Sequence, residues 1–375
     1  MTNIQLIGDI SKKTFGTESQ IWHGENYELL NLESTHKFDP SKLAGKPNNL
    51  WRYSDSIPIN NTENCVTFEE GFTPLIPITF SNKNKAWVKQ DYLFPTGSYK
   101  DRGASVLISK IKELGIKHIV QDSSGNAGAS IAAYAKRANI SCDIYLPADT
   151  SEAKITQIAA YGAKIIKVNG NRKETANQAF EAAKSSYYAS HCFNPFFFEG
   201  TKTFAYEVCE QLNWKSPDAV VLPAGNGTLL LGCYIGFKEL ALAGIISKIP
   251  KIIAIQTEAC QPLKLASESQ NFNPQTYESG YTLAEGIAIP NPIRQKQMLD
   301  ALKQTNGKIL LVSETEIIQA WKEMANQGFY IEPTSAATIA GLMKFQEEGN
   351  DELVVSLFSG SGLKSTEKIA KILKS

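Results

Sequence analysis

From about residue 84 onward the chain repeats one alternation, and this constrains its fold more than any other feature. Short apolar runs rich in β-branched residues are followed by stretches whose apolar residues recur at helical spacing. The runs Ala86–Lys89, His118–Gln121, Cys142–Leu146, Lys164–Val168, Ala219–Leu222, Lys251–Gln256, Lys308–Val312 and Leu353–Phe358 read as strands. Between them, Ala104–Leu114, Ala127–Ala138, Asn177–Ala183 and Glu316–Gln327 read as helices. The alternation predicts the α/β class, with parallel-rich sheets wrapped by helices. Eight such units also close into a barrel, so the pattern leaves the architecture open. Residues 1–60 are polar and weakly patterned, 1–45 carry no assignable element, and Ser267–Tyr277 reads as an exposed loop.

Length and composition narrow the function classes. At 375 residues, the chain exceeds the typical domain of about 150 residues and predicts two or three domains, large enough to fold without disulfides. Lys+Arg and Asp+Glu balance at 38 each, which argues against a general nucleic-acid binder but not against a small anion held by local donors. The six cysteines form no CxxC pair and the four histidines no HExxH, so no metal site is expected. The start MTNIQLIGDISKK lacks the basic and apolar blocks of a signal peptide. The uncharged run Ala219–Phe237 contains Pro223, Asn226 and several glycines, and reads as strand, turn and helix rather than a membrane span. These features predict a soluble cytoplasmic protein with reduced thiols.

The chemistry-bearing signals sit where a strand ends and a helix begins, where free backbone N–H groups and the helix dipole face a ligand. Gly225-Asn226-Gly227-Thr228 follows the strand Ala219–Leu222, and its amides and the Thr228 hydroxyl can cradle a phosphate; an empty tight turn is the competing reading. Ser123-Ser124-Gly125-Asn126 follows His118–Gln121 and reads either as a polar ligand loop or as an ordinary serine N-cap. Ser359-Gly360-Ser361-Gly362 after the last strand carries the same ambiguity. In Pro95-Thr96-Gly97-Ser98-Tyr99-Lys100-Asp101-Arg102-Gly103, Ser98 can cap a helix whose first turn holds Lys100, where a cation opposes the dipole. Lys100 reads as a solvated lysine paired with Asp101, or as a lysine held in a Schiff base to an aldehyde cofactor.

Taken together the motifs resemble the fold-type II pyridoxal-phosphate enzymes, the tryptophan synthase beta-like family, and within them the threonine synthases. The resemblance runs over about residues 50–375 and is carried by WRY at 51–53, EGFTPL at 70–75, PTGSYKDRG at 95–103 and SSGNAG at 123–128. It continues through YGAK at 161–164, NP at 194–195, EGTKT at 199–203, GNGTLLLG at 225–232, AEGI at 284–287, EPTSAA at 332–337 and SGSGLK at 359–364. It implies pyridoxal 5'-phosphate as cofactor, Lys100 as Schiff-base lysine and proton carrier, Asn126 on the cofactor ring oxygen, Gly225–Thr228 on its phosphate and Ser359 on its pyridine nitrogen. Thr96, Ser98, Ser123, Ser124, His191, Cys192 and Phe197 are the implied substrate-binding positions. A serine at the ring nitrogen stabilises a protonated ring less than a carboxylate does, which suits β- and γ-elimination or replacement. The implied reaction is phosphate loss from O-phosphohomoserine and water addition to give threonine.

The chain departs from the family pattern where that substrate phosphate should be held. The family reads Asn-Ser-x-Asn-Pro-x-Arg before the EGxKT element; here His191 replaces the Asn, Cys192 the Ser and Phe197 the Arg. Losing one charge-assisted pair costs about 1.5–3 kcal/mol, and a protonated His191 is one way to compensate. Ser361 and Ser365 stand where the family has His and Asp, and Phe94 where it has Asn. Two accounts stay open: drift within an O-phosphohomoserine enzyme, or a β-eliminase or β-replacement enzyme for a non-phosphorylated amino acid. A cofactor-fold protein without activity is a third. The resemblance also implies a homodimer and two domains, residues 1–100 plus 191–375 forming the larger and 101–190 a smaller one nested in it, with the cofactor in the cleft between them.

Overall fold

A computed structural model describes residues 4–170, 172–269, 271–349 and 353–374. The strands are β1 (Ile4–Gly8), β2 (Thr14–Gly16), β3 (Leu30–Ser34), β4 (Leu75–Thr79), β5 (Lys85–Lys89), β6 (His118–Gln121), β7 (Ser141–Pro147), β8 (Lys164–Val168), β9 (Tyr187–Tyr188), β10 (Ala219–Pro223), β11 (Lys251–Thr257), β12 (Lys308–Val312) and β13 (Val354–Leu357). The α-helices are α1 (Lys100–Glu113), α2 (Asn126–Arg137), α3 (Glu152–Ala160), α4 (Arg172–Ala182), α5 (Pro195–Thr201), α6 (Thr203–Gln211), α7 (Thr228–Leu242), α8 (Pro262–Glu268), α9 (Gln295–Gln304), α10 (Glu314–Asn326), α11 (Pro333–Glu347) and α12 (Thr366–Ile372). Each strand expected from the sequence is present to within one residue at its ends. Helices α1 and α4 begin several residues earlier than their apolar spacing suggested, because Lys100-Asp101-Arg102 and Arg172-Lys173-Glu174 carry no apolar periodicity.

The chain forms two compact units, Met1–Gly71 with Lys100–Thr203, and Phe72–Tyr99 with Phe204–Ser375. In the first, strands β8-β7-β6-β9 form an all-parallel sheet and β2-β1-β3 an antiparallel one. Leu6, Trp22 and Leu30 share one apolar core with Ile119, Val120, Ile131 and Ile144. This departs from the expected division, which put residues 1–71 and 191–203 in the other domain. The weak patterning of the N-terminal segment hid a small sheet that buries Leu6 and Leu30 in this core and packs Phe15 and Leu32 against it. Helix α5 belongs here too, since Gly200 lies so close to the Arg102 carbonyl of α1 that any Cβ would overlap it.

The second unit is built on the sheet β12-β11-β10-β13-β5-β4, parallel except for the β4–β5 pair. Its central strands are buried on both faces, the pattern of a sheet covered by helices: Ala219–Pro223 and Val354–Leu357 have no exposed residue. All three sheets are open, so the barrel alternative falls. The Ala219–Phe237 run resolves into β10, a turn and α7. No helix among the described residues is long and apolar enough to cross a membrane. The six cysteines are free thiols, and burial raises Cys209 to about 12, which leaves it unreactive.

Candidate active site

In the second unit, three of the motifs meet. The Thr96–Tyr99 segment is laced to the SGSG turn: Ser98 bridges Gly360, Ser361 N donates to Gly97 O at 2.9 Å, and Tyr99 N donates to Ser359 O at 3.0 Å. Lys364 Nζ adds a bond to Thr96 O at 2.7 Å. Gly97 has φ +81°, which explains the glycine at this turn. The hydroxyl of Tyr99, the residue that precedes Lys100 in the chain, lies 3.0 Å from Thr228 Oγ1 at the start of α7. Ser98 was expected to cap a helix; instead its fully buried Oγ has no hydrogen-bond partner among the described residues.

The loop Gly225–Thr228 has the properties of an anion cradle. Gly227 is the N-cap of α7, in the left-handed region at φ +76°, and no side chain caps the helix. A helix start without a side-chain cap at its N-cap residue is the arrangement an anion site uses. A Cβ on Gly225 would lie 2.8 Å from Gly286 O, and one on Gly227 would overlap Met298, so both positions are closed to larger residues. Asn226 is half-buried on the same loop.

Ser359 is fully buried, and its Oγ donates to Glu332 Oε1 at 2.8 Å and lies 3.0 Å from Ser335 Oγ. Ser335 Oγ in turn accepts from Gly360 N at 3.1 Å. Glu332-Pro333-Thr334-Ser335 belongs to a family motif in which the sequence alone assigns Glu332 no role. The Pro333 at the first position of α11, which needs no N–H there, was the signal that fixes Glu332 at the helix start.

The first unit holds Lys100, Asn126, the serine pair and the three substituted positions. Lys100 opens α1, and its Nζ lies 5.6 Å from the centroid of the Phe197 ring, within cation–π range. Phe197 is fully buried and packed on Gly103, the one residue type whose lack of a Cβ admits the ring. Asn194 places Phe197 by capping α5, its side chain accepting from Phe196 N at 3.1 Å and donating to Tyr187 Oη at 2.7 Å. His191 lies 5.9 Å from Phe197 ring to ring. Burial, then the Lys100 ammonium and the Arg172 guanidinium, push His191 well below its ordinary value, so the ring is neutral near pH 7. This corrects the expectation that a protonated His191 offsets the missing arginine. Cys192, also buried, follows it, with its N–H 3.3 Å from Ser190 Oγ.

Ser123 and Ser124 form the turn between β6 and α2, half-buried, and Asn126 is the first residue of the helix. The N-cap is Gly125, not a serine, and no side chain caps α2; Ser123 Oγ accepts from Gly125 N at 3.3 Å. The ordinary serine-cap reading therefore does not hold. Gln121 ties this turn to the chain that leads to His191: its Nε2 donates to Ala189 O at 2.9 Å while its Oε1 accepts from Asp122 N at 2.7 Å. Beside it, Arg172 Nη2 lies 3.1 Å from Asp122 Oδ2, and Nη1 donates to Asp122 O. Neither Asp122 nor Arg172 stood out in the sequence.

These features fit the cofactor implied by the motifs: an uncapped helix start and glycine loop for a phosphate, a buried hydroxyl for a ring nitrogen, a lysine for an aldehyde. The family model for the pyridoxal-phosphate dependent enzymes matches residues 66–360. A threonine synthase of Methanocaldococcus jannaschii is 35% identical over 370 residues, which is 95% of this chain and 91% of the relative. Those of Methanosarcina acetivorans and Mycobacterium tuberculosis are 34% and 33% identical, over 90% and 91% of this chain and 86% and 93% of the relatives. Among solved structures, threonine deaminase isoform 2 of Solanum lycopersicum has a TM-score of 0.71 at 22% identity, covering 88% of this chain and 95% of that one. An L-serine ammonia-lyase of Rhizomucor miehei has 0.70 at 20%, covering 81% and 98%. These structural likenesses show a shared fold.

Proposed function

We propose a reaction on the premise that the chain belongs to the pyridoxal-phosphate dependent enzymes of fold type II, and within them to the threonine synthase family. It is a pyridoxal-phosphate-dependent lyase. The reaction we infer is the conversion of O-phosphohomoserine and water to threonine and phosphate, by γ-elimination and β-hydration. The observation that carries it is the 35% identity to a threonine synthase across 95% of this chain.

When bound, the cofactor supplies an electron sink for negative charge at the substrate Cα. The rest falls to side chains. Lys100 would hold the cofactor aldehyde, and its amine would be the group that moves protons at Cα and Cβ of the substrate. The amides of Gly225–Thr228 hold the cofactor phosphate, Asn126 the ring oxygen and Ser359 the ring nitrogen, with Glu332 orienting the Ser359 hydroxyl through their 2.8 Å bond. Thr96, Ser98, Ser123 and Ser124 supply hydroxyls to the substrate. The same reading makes the protein a cytoplasmic homodimer, a state that light scattering measures.

The test is phosphate release coupled to threonine formation from O-phosphohomoserine by cofactor-loaded enzyme, and absence of turnover would sink the proposal. One observation favours a second reading. The Phe197 ring and neutral His191 stand where the family resemblance implies an arginine and an asparagine, which suits a β-elimination or β-replacement substrate without a phosphate. Spectral titration with hydroxy- and amino-substituted alanines separates the two, since silence across that panel removes the second.

A further inference from the structure

A phosphorylated substrate brings a dianion into a site where Phe197 offers no donor and His191 no charge, so on the reading above a cation must come from elsewhere. The topology of the first unit points to where. In β8-β7-β6-β9 all neighbouring strands run parallel, so their carboxyl ends share one edge, the edge at which α/β sheets bind ligands. After β6 come Asp122, Ser123 and Ser124; after β9 comes His191; after β8, which ends at Val168, comes Arg172 at the start of α4.

Arg172 is held there rather than free on the surface. Nη2 pairs with Asp122 Oδ2 at 3.1 Å and Nη1 donates to the Asp122 carbonyl, the residue directly before the serine pair. The Asp122 side chain is 9% exposed and that of Arg172 is 50% exposed, so the carboxylate is the buried anchor and the guanidinium the accessible group. A guanidinium has five N–H donors, of which these two bonds engage two. Its field also reaches His191.

We propose that Arg172 binds the phosphate of the substrate, supplying from the first residue of α4 the charge that Phe197 does not, with the Ser123 and Ser124 hydroxyls completing the donor set. The arginine lost from α5 is thus replaced from another element on the same sheet edge. Phe197 keeps a packing role against Gly103 and Lys100. Asp122 is a positioning residue that fixes the plane of the guanidinium, as bidentate recognition of a phosphate requires.

The experiment measures binding of inorganic phosphate to the cofactor-loaded enzyme by calorimetry, together with KM and kcat for O-phosphohomoserine, in wild type, Arg172→Gln and Arg172→Lys. Arg172 is exposed at a helix start, so both variants should fold, and their melting curves verify it. Losing a charge-assisted pair predicts that Arg172→Gln weakens phosphate binding and raises KM by about 10- to 100-fold, with kcat nearly unchanged. Arg172→Lys, which keeps the charge but not the fork, should fall between. If wild type turns over O-phosphohomoserine while Arg172→Gln keeps its KM and phosphate affinity, the assignment of Arg172 is wrong and the proposed reaction stands. If wild type neither binds phosphate nor turns over the ester, both are wrong.

Discussion

Lowering the pH tests the neutral ring of His191 through its effect on folding. In the unfolded chain the imidazole titrates at about 6.5. In the folded chain burial, then Lys100, then Arg172 hold it well below that value. Below about pH 6.5 the unfolded state therefore takes up a proton that the folded state refuses, and stability falls as the pH falls; above it, the term vanishes. The most the ring can cost between about pH 7.5 and 5 is set by protonation of the unfolded chain alone, roughly 2 kcal/mol. Carboxylates titrate over part of the same range, so the quantity to measure is a difference. Urea unfolding of wild type and His191→Gln at both pH values should show the wild type losing more than the variant, by up to roughly 2 kcal/mol. Parallel losses in the two proteins would refute the buried, neutral histidine, and with it the argument that the substrate anion needs Arg172.

Three further outcomes follow from the geometry. Lys100→Ala should abolish the Schiff-base absorbance at about 410–430 nm after loading with pyridoxal phosphate, while the fold, read by circular dichroism, persists. Gly227→Ala should cost about 1–2 kcal/mol for the left-handed backbone alone, plus the overlap with Met298, and should weaken cofactor phosphate binding in an equilibrium titration. In the core of the second unit, Lys89 and Glu207 form a fully buried ion pair at 2.7 Å, with Lys89 also bonded to Thr73 O and Gln211. Glu207→Ala removes a buried counter-charge from the ammonium and should destabilise by up to about 3–5 kcal/mol in denaturant unfolding.

What the sequence made legible is what depends on local chemistry. Strands such as Lys251–Thr257 and Ala219–Pro223 are runs of β-branched residues buried on both faces, and no competing element has that signature. The glycine loop at 225–228 was legible as a tight turn, and the structure supplies the reason for its glycines, a left-handed backbone at Gly227 and close packing against Gly286 and Met298. The N-terminal sheet was hidden for the opposite reason. Strands β1 to β3 are short, partly exposed and antiparallel, so few positions are apolar, and the partners that bury Leu6 and Leu30 lie far along the chain.

The residues of the site divide in the same way. Lys100, Asn126 and Ser359 sit in turns whose local chemistry left two readings each, and it was the series of family motifs around them that singled them out. Glu332 and Arg172 were not singled out in this way, because each matters only through a partner brought to it by the fold: Glu332 through Ser359, 27 residues away in the chain, and Arg172 through Asp122, 50 residues away. A charged residue at the start of a helix is ordinarily solvated, and nothing in Asn171-Arg172-Lys173-Glu174 distinguishes the arginine from its neighbours. The sequence did show that the chain lacks a cation at Phe197. Only the order of the strands at one sheet edge brings the arginine that opens α4 into consideration beside the substituted position on α5, as the proposal for Arg172 requires. A charge read as missing from a motif is therefore a statement about one element, and the site is complete only when every loop on that edge has been counted.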